Sequence, residues 1–408
     1  MSRIIDIAKE ISSGLTPLRS NLEYWTNGTI PWLKTEQIGE YRIKTTNEFV
    51  TQKALDKTGL KLYPQNTISI AMYGEGKTRG NVSILDCPMT TNQACCNIIP
   101  NEDIVEPFYL YYFFKTQYNN LRQLSSGVRK NLNSNDIKNY KINLPNKKIQ
   151  KNIANFLCNI DEKIELNNKI NLELENLAKT LYEYWFVQFD FPDEFGRPYK
   201  SSGGEMVYSN ELKREIPLDW EIGNLYTIAD YYNGLACQKF RPIDNEQSLP
   251  VVKIGEMHNG INVDTELVKA NIPAKNIIDS GDILFSWSAT LEVMLWTGNK
   301  AGLNQHIFKV VPKSFYSKEY VYQQLSSYVI NFVRIAEARK TTMGHITTDH
   351  LKQSKITLPP KEIIEKYSHS TEFVYKKMIE CKKENLYLIK LRDFLLPMLM
   401  NGQVIIQQ

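Results

Sequence analysis

The same order of landmarks runs through this chain twice. Ile30-Pro31-Trp32-Leu33-Lys34, Thr91-Asn92-Gln93, Pro100 and Tyr140-Lys141-Ile142-Asn143-Leu144-Pro145 recur as Leu249-Pro250-Val251-Val252-Lys253, Leu303-Asn304-Gln305, Pro312 and Ser354-Lys355-Ile356-Thr357-Leu358-Pro359. Asn92 to Asn304 and Pro100 to Pro312 are offset by 212, and Pro145 to Pro359 by 214. Offsets that hold across widely spaced landmarks indicate a duplication. The period far exceeds the roughly 20–50 residues of solenoid repeats, so each copy is domain-sized. A chain built this way does one kind of thing at two places.

Composition narrows the class. With 408 residues and 42% apolar content, the chain can bury real cores in two or three domains. No apolar run reaches membrane-spanning length, and Met1-Ser2-Arg3-Ile4-Ile5-Asp6 has no basic-then-apolar leader, so a cytoplasmic protein with no membrane partner is expected. The six cysteines, at 87, 95, 96, 158, 237 and 381, show neither metal spacing nor a disulfide framework. Cys95-Cys96 reads as two buried thiols in a strand. A net charge of +4 is compatible with nucleic acid without demanding it.

Each copy opens on an alternating segment ending in glycine, Ile4–Gly14 and Ile222–Gly234. Short strands follow: Thr67–Met72, Val82–Leu85 and Cys96–Ile99 in the first, Asp282–Trp287, Val293–Trp296 and Ile307–Val311 in the second. An amphipathic helix is expected at Pro107–Phe114 and at Tyr320–Leu325. After each Leu-Pro the pattern changes to that of a long helix. Ile160, Ile164, Asn167, Asn171, Leu174 and Leu181 align with Val374, Met378, Cys381, Asn385, Leu388 and Leu395 in alternating steps of coiled-coil type. Asn171 and Asn385 fall at equivalent positions, either as a register-setting seam pair or as exposed residues where the stripe drifts. The expected fold is α+β: two similar mixed domains joined by two long antiparallel coiled-coil helices in a pseudo-two-fold internal duplication. The boundaries read as a first domain 1–145, a helix 146–190, a linker 191–214, a second domain 215–359 and a second helix 360–408.

Catalytic motifs are weak. Ala71-Met72-Tyr73-Gly74-Glu75-Gly76-Lys77-Thr78 matches a relaxed phosphate loop, but such a loop must open a helix, and here a strand follows. A basic hairpin tip presenting Lys77 and Arg79 is the better reading. Asp56, Glu75 and Lys77 have the types of a metal-dependent nuclease triad, yet Thr51–Lys57 reads as helix where a strand is needed. No catalytic residue and no metal site is assigned.

With these landmarks the chain resembles the specificity subunit of type I restriction–modification systems over nearly its whole length. The resemblance rests on the strand–loop–strand before Asn-Gln, the Ser125-Ser126-Gly127 to Leu144-Pro145 segment, the helix opening Pro145-Asn146-Lys147-Lys148-Ile149-Gln150, and their second copies Thr341-Thr342-Met343-Gly344 to Leu358-Pro359 and Pro359-Pro360-Lys361-Glu362-Ile363-Ile364. It implies a non-catalytic subunit whose two target recognition domains each read half of a split double-stranded DNA site. The helices would set the gap and dock methyltransferase subunits, expected to number two. A motor–nuclease subunit would join for cleavage. S-adenosylmethionine, ATP and magnesium would then bind those partners and not this chain. Two other readings stay open: the specificity chain of a related system with a fused methyltransferase–nuclease partner, and a stand-alone DNA-binding regulator or scaffold.

Candidate DNA residues come from the loops, because groove edges and phosphates call for Arg, Lys, Asn and hydroxyl side chains. They are Lys34, Thr35, Tyr73, Lys77, Arg79, Arg129, Lys130 and Asn133 in the first domain. In the second they are Lys253, Trp287, Ser288, Arg339, Lys340, Thr342, His345 and Thr347. For any single Lys or Arg, a solvated surface charge competes. Asn133 or Ser134, and Thr347 or Thr348, can instead cap the helices that follow. Gln93 and Gln305 can serve strand-edge backbone groups. The Lys376–Lys383 run reads as a helix face.

Overall fold

The computed structural model describes residues 1–406 except Glu75, 125–130, Asp244, Ala289 and 339–345, with side chains of 335–338 also outside the description. The chain divides into two compact units: Met1–Ile164 with Leu388–Gln408, and Glu165–Tyr387.

In the first unit, besides the short pair Ser2–Arg3 and Lys141–Ile142, the strands of the two main sheets are β1 (Ala8–Ser13), β2 (Ile30–Leu33), β3 (Arg42–Ile43), β4 (Glu48–Val50), β5 (Ile68–Ala71), β6 (Val82–Leu85), β7 (Thr90–Thr91) and β8 (Cys95–Pro100). They form a five-stranded sheet in the order β1-β8-β5-β6-β3 and a three-stranded sheet β4-β2-β7. Burial on both faces makes β5 and β6 continuous apolar runs broken only by Ser69 and Ser83. Ser69 Oγ donates to Asn97 Oδ1 at 2.9 Å and Asn97 Nδ2 donates to Thr91 Oγ1 at 2.7 Å, so the buried polar groups are matched. Cys95 and Cys96 lie in β8 as free thiols that burial pushes up to about 12, which keeps them inert at neutral pH.

The helix Pro107–Thr116 packs on this sheet. It is buried on most of its faces and is not the one-sided helix expected, because the long helices cover its other side. Tyr109, Leu110, Tyr111, Tyr112 and Phe114 share a core with Ile153, Ala154 and Leu157 of the first long helix and with Leu396 and Leu399 of the second. The start of one long helix therefore lies against the end of the other, as antiparallel pairing requires. Asp161, 3% exposed, anchors that contact: Tyr112 Oη donates to it at 2.7 Å and Arg392 Nη1 at 2.5 Å.

The second unit repeats the plan with β9 (Ala229–Asn233), β10 (Ser248–Val252), β11 (Leu267–Lys269), β12 (Ile277–Ile278), β13 (Ile283–Ser286), β14 (Glu292–Leu295), β15 (Ala301–Leu303) and β16 (Ile307–Pro312). Its sheets run β9-β16-β13-β14 and β11-β10-β15-β12. Its helix Lys318–Ala338 is far longer than expected from Tyr320–Leu325, and is continuous where the first copy breaks at Gln117 into Pro107–Thr116 and Tyr118–Gln123.

The opening segments are not strands throughout. Ile4–Ile7 and Leu225–Ile228 each form one helical turn, then become β1 and β9. The three-residue spacing of Ile4 with Ile7, and of Leu225 with Ile228, puts both members of each pair in the core, and that burial outweighs the apparent alternation.

The first long helix spans Lys147–Tyr182 and ends in a π-turn, Glu183–Val187; the second spans Lys361–Met400. All the seam residues named above are buried or half-buried. In the second unit, Asn167 Nδ2 donates to Asn385 Oδ1 at 2.9 Å and Asn385 Nδ2 donates to Asn168 Oδ1 at 2.8 Å. Trp185 and Phe186 in the π-turn, and Phe189 and Phe191 beyond it, bury with Trp220 and Tyr367. The lysine run of 376–383 lies on the second helix, where Lys382 pairs with Glu175 at 2.9 Å.

Candidate nucleic-acid interface

One backbone hydrogen-bond relay recurs at the same edge of each domain. In the first, Asn92 N donates to Leu33 O at 2.9 Å, Met72 N to Ala94 O at 2.9 Å, and Leu132 N to Met72 O at 3.2 Å. In the second, Asn304 N donates to Val252 O at 3.0 Å, Trp287 N to His306 O at 3.3 Å, and Ile346 N to Trp287 O at 3.1 Å. The relay joins the end of β2 or β10, the Asn-Gln turn, the β5–β6 or β13–β14 hairpin and the segment entering the next helix. It brings Lys34, Tyr73 and Asn133 to one edge, and Lys253, Trp287, Ser288 and Thr347 to the other.

The repeated glycine and asparagine have a shared physical cause. A Cβ on Gly14 would lie 2.1 Å from Thr91 O, and one on Gly234 would lie 2.1 Å from Asn304 O. The strand end must pass this close because Leu15 N bonds Thr91 O at 2.9 Å and Leu235 N bonds Leu303 O at 2.8 Å. Each asparagine side chain then closes its own turn, Asn92 Oδ1 accepting from Ala94 N at 3.1 Å and Asn304 Oδ1 from His306 N at 3.3 Å.

The β5–β6 tip turns through Gly74, Gly76 and Gly80, all at positive φ, and leads into β6, not into the helix a phosphate loop requires. Tyr118 Oη donates to Lys77 O at 2.8 Å and Arg122 Nη1 to Arg79 O at 3.0 Å, which braces the tip from below. Tyr73 is 41% exposed, Lys77 is exposed and Arg79 half-buried. Asp56 lies in the short helix Gln52–Lys57, bonded to Gln52 at 2.8 Å, and Glu75 lies outside the described residues. Among the described residues no cluster of His, Cys, Asp or Glu could hold a metal ion.

Several candidate side chains already have structural work. Lys34 Nζ sits 2.7 Å from both Glu36 and Glu48, and Lys253 Nζ sits 2.6 Å from Glu266. Glu36 and Glu48 hold the Lys34 ammonium above its usual range, and Glu266 does the same for Lys253. These are paired charges, not open cationic patches. Asn133 is the N-cap of Ser134–Lys138, its Oδ1 accepting from Asp136 N at 3.0 Å. Thr347 caps Thr348–Gln353, its N–H donating to His350 Nδ1 at 3.0 Å. Ser288 is 7% exposed and faces His306. Thr35 opens the turn Thr35–Gln37 and is half-buried. Arg129, Lys130, Arg339, Lys340, Thr342 and His345 lie outside the described residues.

Among the described residues, the Gln93 and Gln305 side chains bond side chains and not strand-edge backbone. Thr16 Oγ1 donates to Gln93 Oε1, while Gln305 Nε2 faces His306 Nε2 at 3.3 Å. Sequence reasoning passed over His306 and Asn233. The repeated Asn-Gln was the signal available for them, since it marks the turn on which His306 follows.

A family model described as "Type I restriction modification DNA specificity domain" matches residues 1–176 and again 217–386. The chain belongs to this family. The two matches coincide with the duplication. Among curated relatives, the type I restriction enzyme MjaIX specificity subunit of Methanocaldococcus jannaschii is 27% identical, covering 100% of this chain and 94% of that protein. The HindI specificity subunit of Haemophilus influenzae is 25% identical over 75% of this chain and 79% of its own length. The crystal structure of the type I S subunit from M. genitalium shares the fold, with a TM-score of 0.61 at 17% identity, covering 98% of this chain and 95% of that one. Among the described residues no helix is long and apolar enough to cross a membrane.

Proposed function

We propose that this specificity-family chain is the DNA sequence-recognition subunit of a type I restriction–modification complex, each domain reading one half of a bipartite double-stranded site. The observation that carries the reading is the duplicated relay: two equivalent sheet edges hold different side chains on one backbone frame. Base pairs are told apart by side chains at groove edges while backbone contacts fix register, so a common frame with differing residues suits two different half-sites.

The long helices would set the gap and dock the methyltransferase. Leu166, Leu172 and Leu177 are exposed on the first helix in the second unit, and Leu391 and Phe394 on the second helix in the first unit. Exposed apolar residues on a helix pair suit a partner helix. The chain would be non-catalytic and act in the cytoplasm. Two methyltransferase subunits would bring S-adenosylmethionine, and the motor–nuclease would bring ATP and magnesium.

The test is genome-wide adenine methylation in a methyltransferase-positive host, with and without this chain. A split motif that appears only with the chain is the expected result. Exchanging residues 1–145 for those of a relative should change one half alone. Unchanged methylation despite stable assembly with an active methyltransferase would overturn the proposal in favour of a regulator or scaffold.

A further inference from the structure

The two recognition edges differ most at one corner of their common frame. Where the relay passes through Met72 and Ala94 in the first domain, it passes through Trp287 and His306 in the second. Met72 and Ala94 are buried apolar residues, 2% and 8% exposed, whereas Trp287 and His306 are half-buried.

His306 is held on both ring nitrogens. Ser288 Oγ lies 3.4 Å from Nδ1 and Gln305 Nε2 lies 3.3 Å from Nε2. With the proton on Nδ1, the ring donates to Ser288 and accepts one N–H of Gln305. Trp287 braces the ring with centroids 5.6 Å apart, and its indole N–H is tied to Asn233 Oδ1 at 3.0 Å. The Gln305 amide is thereby oriented. Its oxygen and its second N–H have no side-chain partner among the described residues.

An amide that offers one acceptor beside one donor complements the N6 donor and N7 acceptor of adenine in the major groove. We propose that Gln305, oriented by His306, is a base-reading residue of the second domain and selects an A·T pair in that half-site. The proposal rests on the DNA-recognition reading above. Gln93, its equivalent, is oriented differently, because Thr16 donates to its amide oxygen and Ala94 supplies no ring to hold its N–H. The selection therefore belongs to one half-site. His306 is a positioning residue, acting through Gln305.

The experiment reads the methylated motif made by the full-length chain with a methyltransferase that assembles with it. Gln305→Ala and Gln305→Glu should each make one A·T position degenerate in one half, with discrimination there falling about 5- to 150-fold. The other half and the gap should not change. His306→Ala should relax the same position, and His306→Gln, which still accepts a hydrogen bond, should restore part of the preference. A purely structural role would not give a loss confined to one base pair. Motifs identical to the parent's, or relaxed only at G·C pairs, overturn the proposal. Loss of all methylation in both Gln305 variants, with the methyltransferase still bound, assigns Gln305 a structural role and overturns it too. If the parent chain yields no split motif, the DNA-recognition reading fails and takes this proposal with it.

Discussion

Asn385 pairs with Asn167, not with Asn171, its equivalent in the duplication; the Asn167 Nδ2 to Asn385 Oδ1 bond is 2.9 Å. Along an antiparallel pair, advancing on one helix means retreating on the other, so equivalent positions need not face each other. Asn171, 5% exposed, has neither side-chain amide atom bonded among the described residues. The two asparagines should therefore respond oppositely to substitution. Asn171→Leu should stabilise the chain by ~1–2 kcal/mol by removing an unsatisfied polar group, and Asn385→Leu should destabilise it by ~1–3 kcal/mol by removing the bonds to Asn167 and Asn168, Asn167 keeping, among the described residues, only its bond to Glu384 at 2.7 Å. Denaturant unfolding of the two variants measures the difference. Shifts of the same sign in the two variants, or of reversed signs, would contradict the pairing.

Arg392 and Asp161 form a buried ion pair, with side chains 14% and 3% exposed. Removing one partner leaves a buried charge, so Arg392→Met should cost ~3–5 kcal/mol. The double variant Arg392→Met with Asp161→Leu should recover much of that loss. A double-mutant cycle in unfolding free energy checks the coupling.

Gly14→Ala and Gly234→Ala should each be severely destabilising, of the order of the ~4–5 kcal/mol that marks exceptional substitutions. The added carbon would meet backbone oxygen at 2.1 Å in both cases, and strand backbone cannot give way as a flexible side chain can. Limited proteolysis should report loosening in the domain carrying the change, and Gly255→Ala, at ordinary helical φ with no described atom within 4 Å of its Cβ, is the control.

The Arg19 guanidinium, then Lys34, hold the Glu48 carboxyl below its ordinary value of 4.5. A depressed carboxylate stabilises the fold above that unfolded value, and the contribution disappears as pH falls through the lower folded value. The stability gap between the parent chain and Glu48→Gln should therefore be largest near neutral pH and shrink below 4.5. Thermal melts across pH give the profile, and a gap that grows on acidification would reverse the sign.

Lys77 stands exposed on the braced hairpin tip. As a phosphate contact, Lys77→Ala should weaken binding alike on all sequences and reduce the salt slope of log affinity by ~1. Titrations of the assembled complex at several salt concentrations measure the slope. A motif change without a slope change would make Lys77 a base contact instead.

Much of the fold was legible because its signals are local. Fixed offsets reveal a duplication, alternation reveals strands, and steps of three and four reveal the long helices, none of which needs a partner to be known. The Lys318–Ala338 helix runs past the Tyr320–Leu325 stretch because its later turns carry apolar residues on both faces, Phe332 buried but Ile330 and Val333 exposed, which blurs the helical period. The site was legible mainly as loops and landmarks: Asn92 and Asn304 marked the turns, but not what the turns hold.

The amino-acid sequence by itself determined that there are two like domains, where their strands and long helices fall, and which helix positions face inward. Tertiary structure alone decided partners. It set Glu48 against Lys34, Glu266 against Lys253, His306 under Gln305, and Asn167 against Asn385. Asn167 and Asn385 are 218 residues apart, and Glu48 begins, and Glu266 just precedes, the strand paired with the one that ends just before its lysine. Even His306, next to Gln305, needed Trp287 and Ser288 from another hairpin to hold its ring. Periodicity specifies which face of an element is buried, but strand register and helix antiparallelism specify what that face meets.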